Sequence, residues 1–153
     1  MIAPTVNVDG NITEAAEASI PVLDRGFLYG DSVYEVFRTY RSVPLFLEDH
    51  FERLENSAQL IQMQISQTRE QLLEEIRRTA IKAGVSQGSD AYVRYQITRG
   101  EGAVDLYPDP SLKTRYVIIV KALPSWNPLF YERGVNMAIP NVRRNPANAL
   151  DPN

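Results

Sequence analysis

The segment Asp24-Arg25-Gly26-Phe27-Leu28-Tyr29-Gly30-Asp31-Ser32-Val33-Tyr34-Glu35-Val36-Phe37-Arg38 joins a glycine-containing loop to a strand. Side chains on a strand alternate between its two faces, so Tyr34, Val36, Arg38 and Tyr40 share one face. A half-buried strand normally has one clean apolar face. An arginine among tyrosines and apolar residues instead favours the binding of an anionic ligand beside a hydrophobic wall.

The next element expected from the sequence is a helix over residues 48–61. It begins with Glu48 and Asp49, which suit the positive end of a helix dipole. Arg53 lies in this helix beside an apolar stripe of helical spacing. The stripe consists of Phe51, Leu54, Ala58 and Ile61. Arg53 is therefore placed at the border of a packed helical face.

The remaining pattern predicts an α+β fold, an antiparallel sheet with two helices packed on it. A hairpin turn is expected at Asp9-Gly10-Asn11, and Gly84 is expected to end a second helix. We also expect a loop at residues 101–114 and an irregular tail at 141–153. The expected elements are strands over 5–8, 33–40, 45–47, 92–98, 116–123 and 134–139 and the second helix over 68–83. We place an N-terminal α+β domain at residues 1–123 and an interdomain segment with the start of a second domain at 124–153.

Four blocks of the chain resemble, in order, the fold-type IV pyridoxal 5'-phosphate (PLP) enzymes. The blocks are Asp24–Arg38, His50–Ala58, Ala91–Gly100 and Arg143–Pro152. The second reads His-x-x-Arg-Leu-x-x-Ser-Ala, and the third contains Tyr-x-Arg followed by Thr-Arg-Gly. This superfamily includes branched-chain aminotransferases, D-amino acid aminotransferases and aminodeoxychorismate lyases. The four blocks, in this order, span nearly the whole chain, which makes the resemblance specific, and the chain resembles the N-terminal part of such an enzyme.

The resemblance implies roles for particular residues. Arg53 matches the arginine that binds the PLP phosphate, and His50 would lie near it. The residues that match the substrate pocket are Tyr29, Tyr34, Arg38, Tyr92 and Arg94. Arg99 falls on the opposite strand face, so a structural or interface ion pair is expected for it, and Glu35 is interpreted as structural. Each tyrosine has an ordinary alternative as an amphipathic sheet residue.

The lysine that forms the Schiff base with PLP in this family follows the Ala-Leu-Asp-Pro segment within a few residues. The lysines of this chain are Lys82, Lys113 and Lys121, and none has that sequence context. We therefore expect the catalytic lysine just after Asn153 in the complete protein, and no catalytic residue within the chain itself.

Composition excludes several other classes of protein. The net charge of −3 and the pI of about 5.2 argue against a nucleic-acid or anionic-membrane surface. Without cysteine, disulfides, thiolate nucleophiles and cysteine metal ligands are impossible, and a lone histidine does not indicate a metal site. The N-terminus lacks the pattern of a signal peptide, so the expected location is the cytoplasm.

The resemblance favours PLP-dependent transamination of a branched-chain or other apolar amino acid with 2-oxoglutarate, by a homodimer. D-amino acid enzymes carry Arg-x-His after the Thr-Arg-Gly block, where this chain has Gly102-Ala103-Val104-Asp105. Two alternatives remain open. One is a catalytically inactive fragment or split chain that acts as a binding or dimerisation module. The other is β-elimination of the aminodeoxychorismate lyase type.

Overall fold

The computed structural model describes residues 2–86, 88–143 and 146. The chain divides into two compact units, one before and one after the boundary between Leu123 and Pro124. The first unit contains all the strands given below and three helices. In the second unit the structure describes one short helix, α4 at Leu129–Arg133, with exposed side chains around it. Most of the fourth resemblance block, Arg143–Pro152, lies outside the described residues.

Six antiparallel strands form one sheet in the first unit. They are β1 at Thr5–Val8, β2 at Asn11–Glu14, β3 at Ser32–Tyr40, β4 at Val43–Pro44, β5 at Ala91–Thr98 and β6 at Arg115–Ala122. Their order across the sheet is β2-β1-β6-β5-β3-β4. The apolar strand β6 therefore has neighbours on both sides, as its continuous apolar run predicts. The expected α+β fold with an antiparallel sheet is confirmed.

Turn chemistry explains how the first two strands pair. Asp9 and Gly10 both have positive φ angles, 50° and 91°, and they connect β1 to β2 as a two-residue hairpin. This is the geometry of a type I′ turn, whose twist matches that of the flanking strands. The turn predicted from Asp9-Gly10-Asn11 is confirmed.

Three helices belong to the first unit: α1 at Arg25–Tyr29, α2 at Leu47–Leu60 and α3 at Arg69–Lys82. Thr68 caps the start of α3 with a capping box. Its hydroxyl accepts a hydrogen bond from the backbone N–H of Gln71, and the Gln71 side chain accepts one from the backbone N–H of Thr68. Gly84 follows the Ala83 cap with a φ of 83°, which ends the helix where predicted. No helix of the described residues is both long enough and apolar enough to cross a membrane.

Helices α2 and α3 cover one face of the sheet and enclose the core. Phe51 and Leu54 of α2 and Leu72 of α3 are at most 2% exposed, and they pack on odd-numbered residues of β3 and β5. Complete burial of one such side chain stabilises the fold by roughly 1.5–3 kcal/mol. The even-numbered residues of β3 and β5 lie on the opposite, more open face. The alternation predicted for residues 33–40 is confirmed.

Three local expectations were wrong. Residues 45–47 are not a strand: β4 already ends at Pro44, and Phe46, in the left-handed region, precedes the first turn of α2. Residues 134–139 are also not a strand, and they follow Gly134 as irregular chain. Tyr29 lies in α1 rather than in a loop, because Asp24 caps the helix start and Gly30, with a φ of 67°, ends it.

Candidate functional site

Arg53 is held by a carboxylate on the helix-covered face of the sheet. Its Nε and Nη2 donate to Glu35 Oε1 and Oε2 at 2.6 and 2.5 Å. His50 Nδ1 lies 2.7 Å from the same Oε2 atom. The Glu35 side chain is 6% exposed, whereas that of Arg53 is 62% exposed. The pair therefore consists of a buried acceptor and a guanidinium that reaches the surface.

The electrostatics of this cluster keep Glu35 ionised. Burial by itself raises the pKa of Glu35, but the hydrogen bonds from Arg53 and His50 outweigh it and lower that pKa below its ordinary value of 4.5. The hydrogen bonds to Glu35 likewise raise the pKa of Arg53. Both groups are thus charged at neutral pH, and a bidentate pair of this kind is among the stronger ion-pair geometries.

The donor set of Arg53 fits the phosphate of PLP. Glu35 uses Nε and Nη2, while Nη1 makes no hydrogen bond to any residue that the structure describes. The guanidinium is planar, so the position of one edge determines the position of the other. Arg53 can therefore present N–H donors to a phosphate while it remains paired with Glu35.

Four of the five predicted substrate residues lie together on the opposite face of the sheet. In the β3–β5 register, Val36 lies opposite Arg94 and Arg38 opposite Tyr92, and Tyr34 is two residues along from Val36. Side chains of directly opposed residues on one face are neighbours. The sheet lies between this group and the Arg53 cluster, so the structure does not bring Arg53 and these four residues into one site.

Arg94 is the best-placed cation of this face. Its guanidinium carbon lies 3.7 Å from the centroid of the Tyr34 ring. Arg94 Nη2 donates to Gln96 Oε1 at 3.1 Å, and Gln96 in turn donates to the Ser32 hydroxyl at 3.0 Å. Among the described residues it has no carboxylate partner, so its charge remains available to a ligand.

Arg38 is occupied by other groups. It pairs with Asp90 at 3.2 Å and stacks on the Tyr40 ring at 3.9 Å. Asp90 also accepts a hydrogen bond from the backbone amide of Arg41, which connects it to the turn after β3. These contacts give Arg38 a role in ordering the wall of the face, and they leave Arg94 as the stronger candidate for an anionic group.

Tyr29 is separated from the other candidates in the contacts that the structure shows. Its ring lies under the Arg25 guanidinium at 4.7 Å, at the end of α1. Lys121 of β6, by contrast, does reach the open face, with Nζ 4.8 Å from the Tyr92 ring centroid. Sequence reasoning did not include Lys121 among the pocket residues.

A second ion-pair cluster, with side chains at most 15% exposed, lies just before β3. Asp31 accepts from Arg25 Nε at 3.2 Å and from Arg99 Nε at 2.6 Å. Arg25 also donates to the Asp105 carbonyl, and Arg99 donates to the Ile61 carbonyl after α2. The structural ion pair predicted for Arg99 is confirmed, and the cluster connects the long loop to the end of α2.

Asp31 should make the free energy of unfolding depend on pH in the acidic range. Burial raises the pKa of Asp31, but hydrogen bonds from Arg99 and Arg25 outweigh it and lower that pKa below its ordinary value of 3.8. The stabilisation is therefore complete above 3.8 and is lost as the pH falls through the lower folded-state pKa. We expect the unfolding free energies of the parent and Asp31→Asn proteins, measured by denaturant titration, to converge as the pH falls through this range. Parallel curves would contradict this prediction.

Sequence reasoning missed the role of Glu35 as the partner of Arg53. It was interpreted as structural because it faces away from Tyr34 and Arg38. Its position on the helix-covered face carried an unused signal, since a buried carboxylate requires a cationic or hydrogen-bonding partner. The nearby helix supplies that partner in Arg53.

Comparison with known proteins identifies the family. Residues 32–153 match the amino-transferase class IV family. The chain therefore belongs to the class IV aminotransferases, and the predicted relationship to the N-terminal part of fold-type IV enzymes is confirmed.

Similarity extends to individual relatives and solved structures. A Methanocaldococcus jannaschii protein, provisionally named a branched-chain-amino-acid aminotransferase, is 33% identical over 147 residues, which cover 96% of this chain and 49% of that protein. The branched-chain aminotransferase structure from Escherichia coli aligns with a TM-score of 0.71 at 25% identity, over 81% of this chain and 41% of that one. The T.th. branched-chain aminotransferase complexed with N-(5'-phosphopyridoxyl)-L-glutamate aligns with a TM-score of 0.68 at 26% identity, over 79% and 41%.

Proteins named D-alanine aminotransferase and aminodeoxychorismate lyase also match this chain. The similarity therefore supports the family but does not select one of its reactions. The chain spans about half the length of the Methanocaldococcus relative, 49%, and 41% of the Escherichia coli chain.

Proposed function

We propose that a protein containing this chain catalyses PLP-dependent transamination of a branched-chain or other apolar amino acid, with 2-oxoglutarate as the amino acceptor. The observation that carries the proposal is the open sheet face, where the Arg94 guanidinium lies 3.7 Å over the Tyr34 ring. A cation beside aromatic and aliphatic side chains suits a ligand with a carboxylate at one end and an apolar side chain at the other.

Arg53 would hold the phosphate of the cofactor. This assignment is supported by its bidentate pairing with Glu35, which leaves Nη1 directed away from that carboxylate. When bound, PLP supplies an electron sink for the substrate carbon from which the proton is removed. The lysine that moves this proton is expected after Asn153, in the segment that follows Ala149-Leu150-Asp151-Pro152.

The open face would supply the substrate contacts. Because the sheet separates this face from the Arg53 cluster, the proposal requires that a cofactor held at its phosphate by Arg53 extend from that cluster to this face. Tyr34 and Tyr92 offer ring faces for an aliphatic side chain, and Val36 lies between their rows in the sheet register. Arg94 would donate to a substrate carboxylate, while Arg38, held by Asp90, orders the wall. Tyr29, at the end of α1, would border the pocket from the neighbouring loop region.

Preference for a branched-chain substrate has two supports. One is the similarity to a curated relative named as a branched-chain aminotransferase, which covers 96% of this chain. Where D-amino acid enzymes carry Arg-x-His, this chain has Gly102-Ala103-Val104-Asp105. We further propose a cytoplasmic homodimer, because exposed apolar residues such as Leu106 and Tyr107, 88% and 77% exposed, suit coverage by a second subunit.

Removal of the Arg94 side chain tests the proposed substrate contact. We expect Arg94→Ala to raise the KM for a branched-chain amino acid by about 10- to 150-fold, because a hydrogen bond to a charged group contributes roughly 1.5–3 kcal/mol. PLP content, measured by absorbance after dialysis, should stay unchanged, since Arg94 and Arg53 lie on opposite faces of the sheet.

Arg77→Ala is the matched control for this variant, because Arg77 is an exposed arginine of α3 that pairs with Glu74. It should leave both KM and PLP content at the parental values. An unchanged KM in Arg94→Ala would reject the assignment of Arg94, and loss of PLP would show that it belongs to the cofactor site instead.

A further inference from the structure

We propose that Glu35 is a positioning residue for the cofactor phosphate, which acts by orienting the guanidinium of Arg53. The inference rests on the proposed function, in which Arg53 binds PLP. Glu35 itself would make no contact with the cofactor, because both of its carboxylate oxygens are used by Arg53 and His50.

The two partners of the ion pair differ strongly in burial. An arginine with a 62% exposed side chain has many accessible rotamers, and a helix by itself does not select one. Glu35 is fixed in the sheet, with its neighbours Val33 and Phe37 in the core. The bidentate pair with this fixed carboxylate restricts the Arg53 guanidinium to one orientation, which the position of Glu35 in the sheet determines.

Glu35 occupies one edge of the Arg53 guanidinium and leaves the other edge open. Its oxygens take Nε and Nη2, which lie on one edge of the planar guanidinium. The Nη1 donors then lie on the far side from the carboxylate, where repulsion between Glu35 and an incoming phosphate is smallest. An ordered donor is worth more to binding than a mobile one, since less side-chain entropy is lost when the ligand arrives.

His50 completes the arrangement from the same helix. Its Nδ1 lies 2.7 Å from Glu35 Oε2, and its ring lies 5.8 Å from the Phe37 ring. Nδ1 also lies 3.1 Å from Arg53 Nη2, which can only donate, so His50 contacts both members of the ion pair. His50 and Arg53 lie one helical turn apart, and both contact the same carboxylate.

The test is a double-mutant cycle on the protein that contains the PLP-binding lysine, with dissociation constants measured for PLP and for pyridoxal, which lacks the phosphate. We expect Glu35→Gln to weaken PLP binding about tenfold, the order found for outer-shell partners of metal ligands. Pyridoxal binding should change by less than about twofold, because the contact involves the phosphate alone. Glu35→Gln should add no further loss in the Arg53→Ala background.

Glu55→Gln is the matched control. Glu55 lies on α2, the helix that carries Arg53, but it pairs with Arg69 of α3 instead. It should leave both dissociation constants unchanged. Parental PLP affinity in Glu35→Gln, or an equal loss for pyridoxal, would overturn the positioning role. If Arg53→Ala also leaves PLP affinity unchanged, the phosphate assignment of the proposed function fails instead.

Arg53→Lys keeps the proposal testable if Glu35→Gln does not fold. Lysine retains the positive charge but lacks the planar fork that pairs with Glu35 on one edge and a phosphate on the other. We expect weaker binding of PLP than in the parent, with pyridoxal binding unchanged. Parental PLP affinity in this variant would show that charge alone suffices, which contradicts orientation by Glu35.

Discussion

Arg53→Ala is expected to raise the dissociation constant for PLP by about 30- to 150-fold, because a charge-assisted hydrogen bond to phosphate contributes roughly 2–3 kcal/mol. The prediction applies to the protein that carries the catalytic lysine. PLP retained after dialysis is the measurement, with the folded state checked by circular dichroism. The check is needed because the substitution leaves the buried carboxylate of Glu35 with His50 as its remaining partner.

Arg69→Ala separates this effect from the general loss of an ion pair. Arg69 stands at the start of α3 and pairs with Glu55 and Glu48, so the variant also removes a helical arginine with carboxylate partners. It should retain PLP as the parent does. Equal retention by Arg53→Ala and Arg69→Ala would remove Arg53 from the cofactor site.

Gly100→Ala should be among the most destabilising single substitutions in the first unit, at about 3–5 kcal/mol, out of a typical domain stability of about 5–15 kcal/mol. Gly100 has a φ of 91°, and a Cβ atom there would lie 2.1 Å from the carbonyl oxygen of Lys113. That oxygen belongs to the backbone, so it cannot rotate away as a side chain would. Relief would require β5 or the end of the long loop to move.

The control for Gly100→Ala is Gly88→Ala. Gly88 has a similar φ of 87°, but a Cβ atom there would meet no atom within 4 Å among the described residues, apart from its chain neighbours. It should therefore show only the cost of the left-handed backbone, about 1 kcal/mol. Urea denaturation at equal m values measures both differences, and similar losses for the two variants would show that the contact with Lys113 adds nothing.

Much of the local structure could be predicted from short-range patterns. The Asp9-Gly10 turn, the end of α3 before Gly84 and the two faces of β3 each depend on neighbouring residues only, and each was predicted correctly. The errors fall where local signals are weak. The apolar run at residues 45–47 suits a strand as well as the approach to a helix, and the left-handed backbone of Phe46 has no sequence signal.

The candidate site shows the same contrast between what local patterns predict and what the fold decides. The resemblance predicted Arg53 and the five pocket residues, and strand periodicity predicted that Tyr34 shares a face with Arg38, and Tyr92 with Arg94. The selection of partners required the fold. Asp90 lies 52 positions from Arg38 in the sequence, and no local pattern connects the two residues. They become neighbours because the fold places the turn after β3 beside the start of β5.

The sequence by itself determined the fold family, the alternation of β3 and β5 and the identity of the arginines available to anions, since these follow from local spacing and from motifs in a set order. Only the tertiary structure decided what each arginine does. Arg99 and Arg25 join on Asp31, Arg38 pairs with Asp90, and Arg53 pairs with the buried Glu35. The physical reason is that an ion pair depends on distances across the sheet and between elements, which local sequence patterns do not encode.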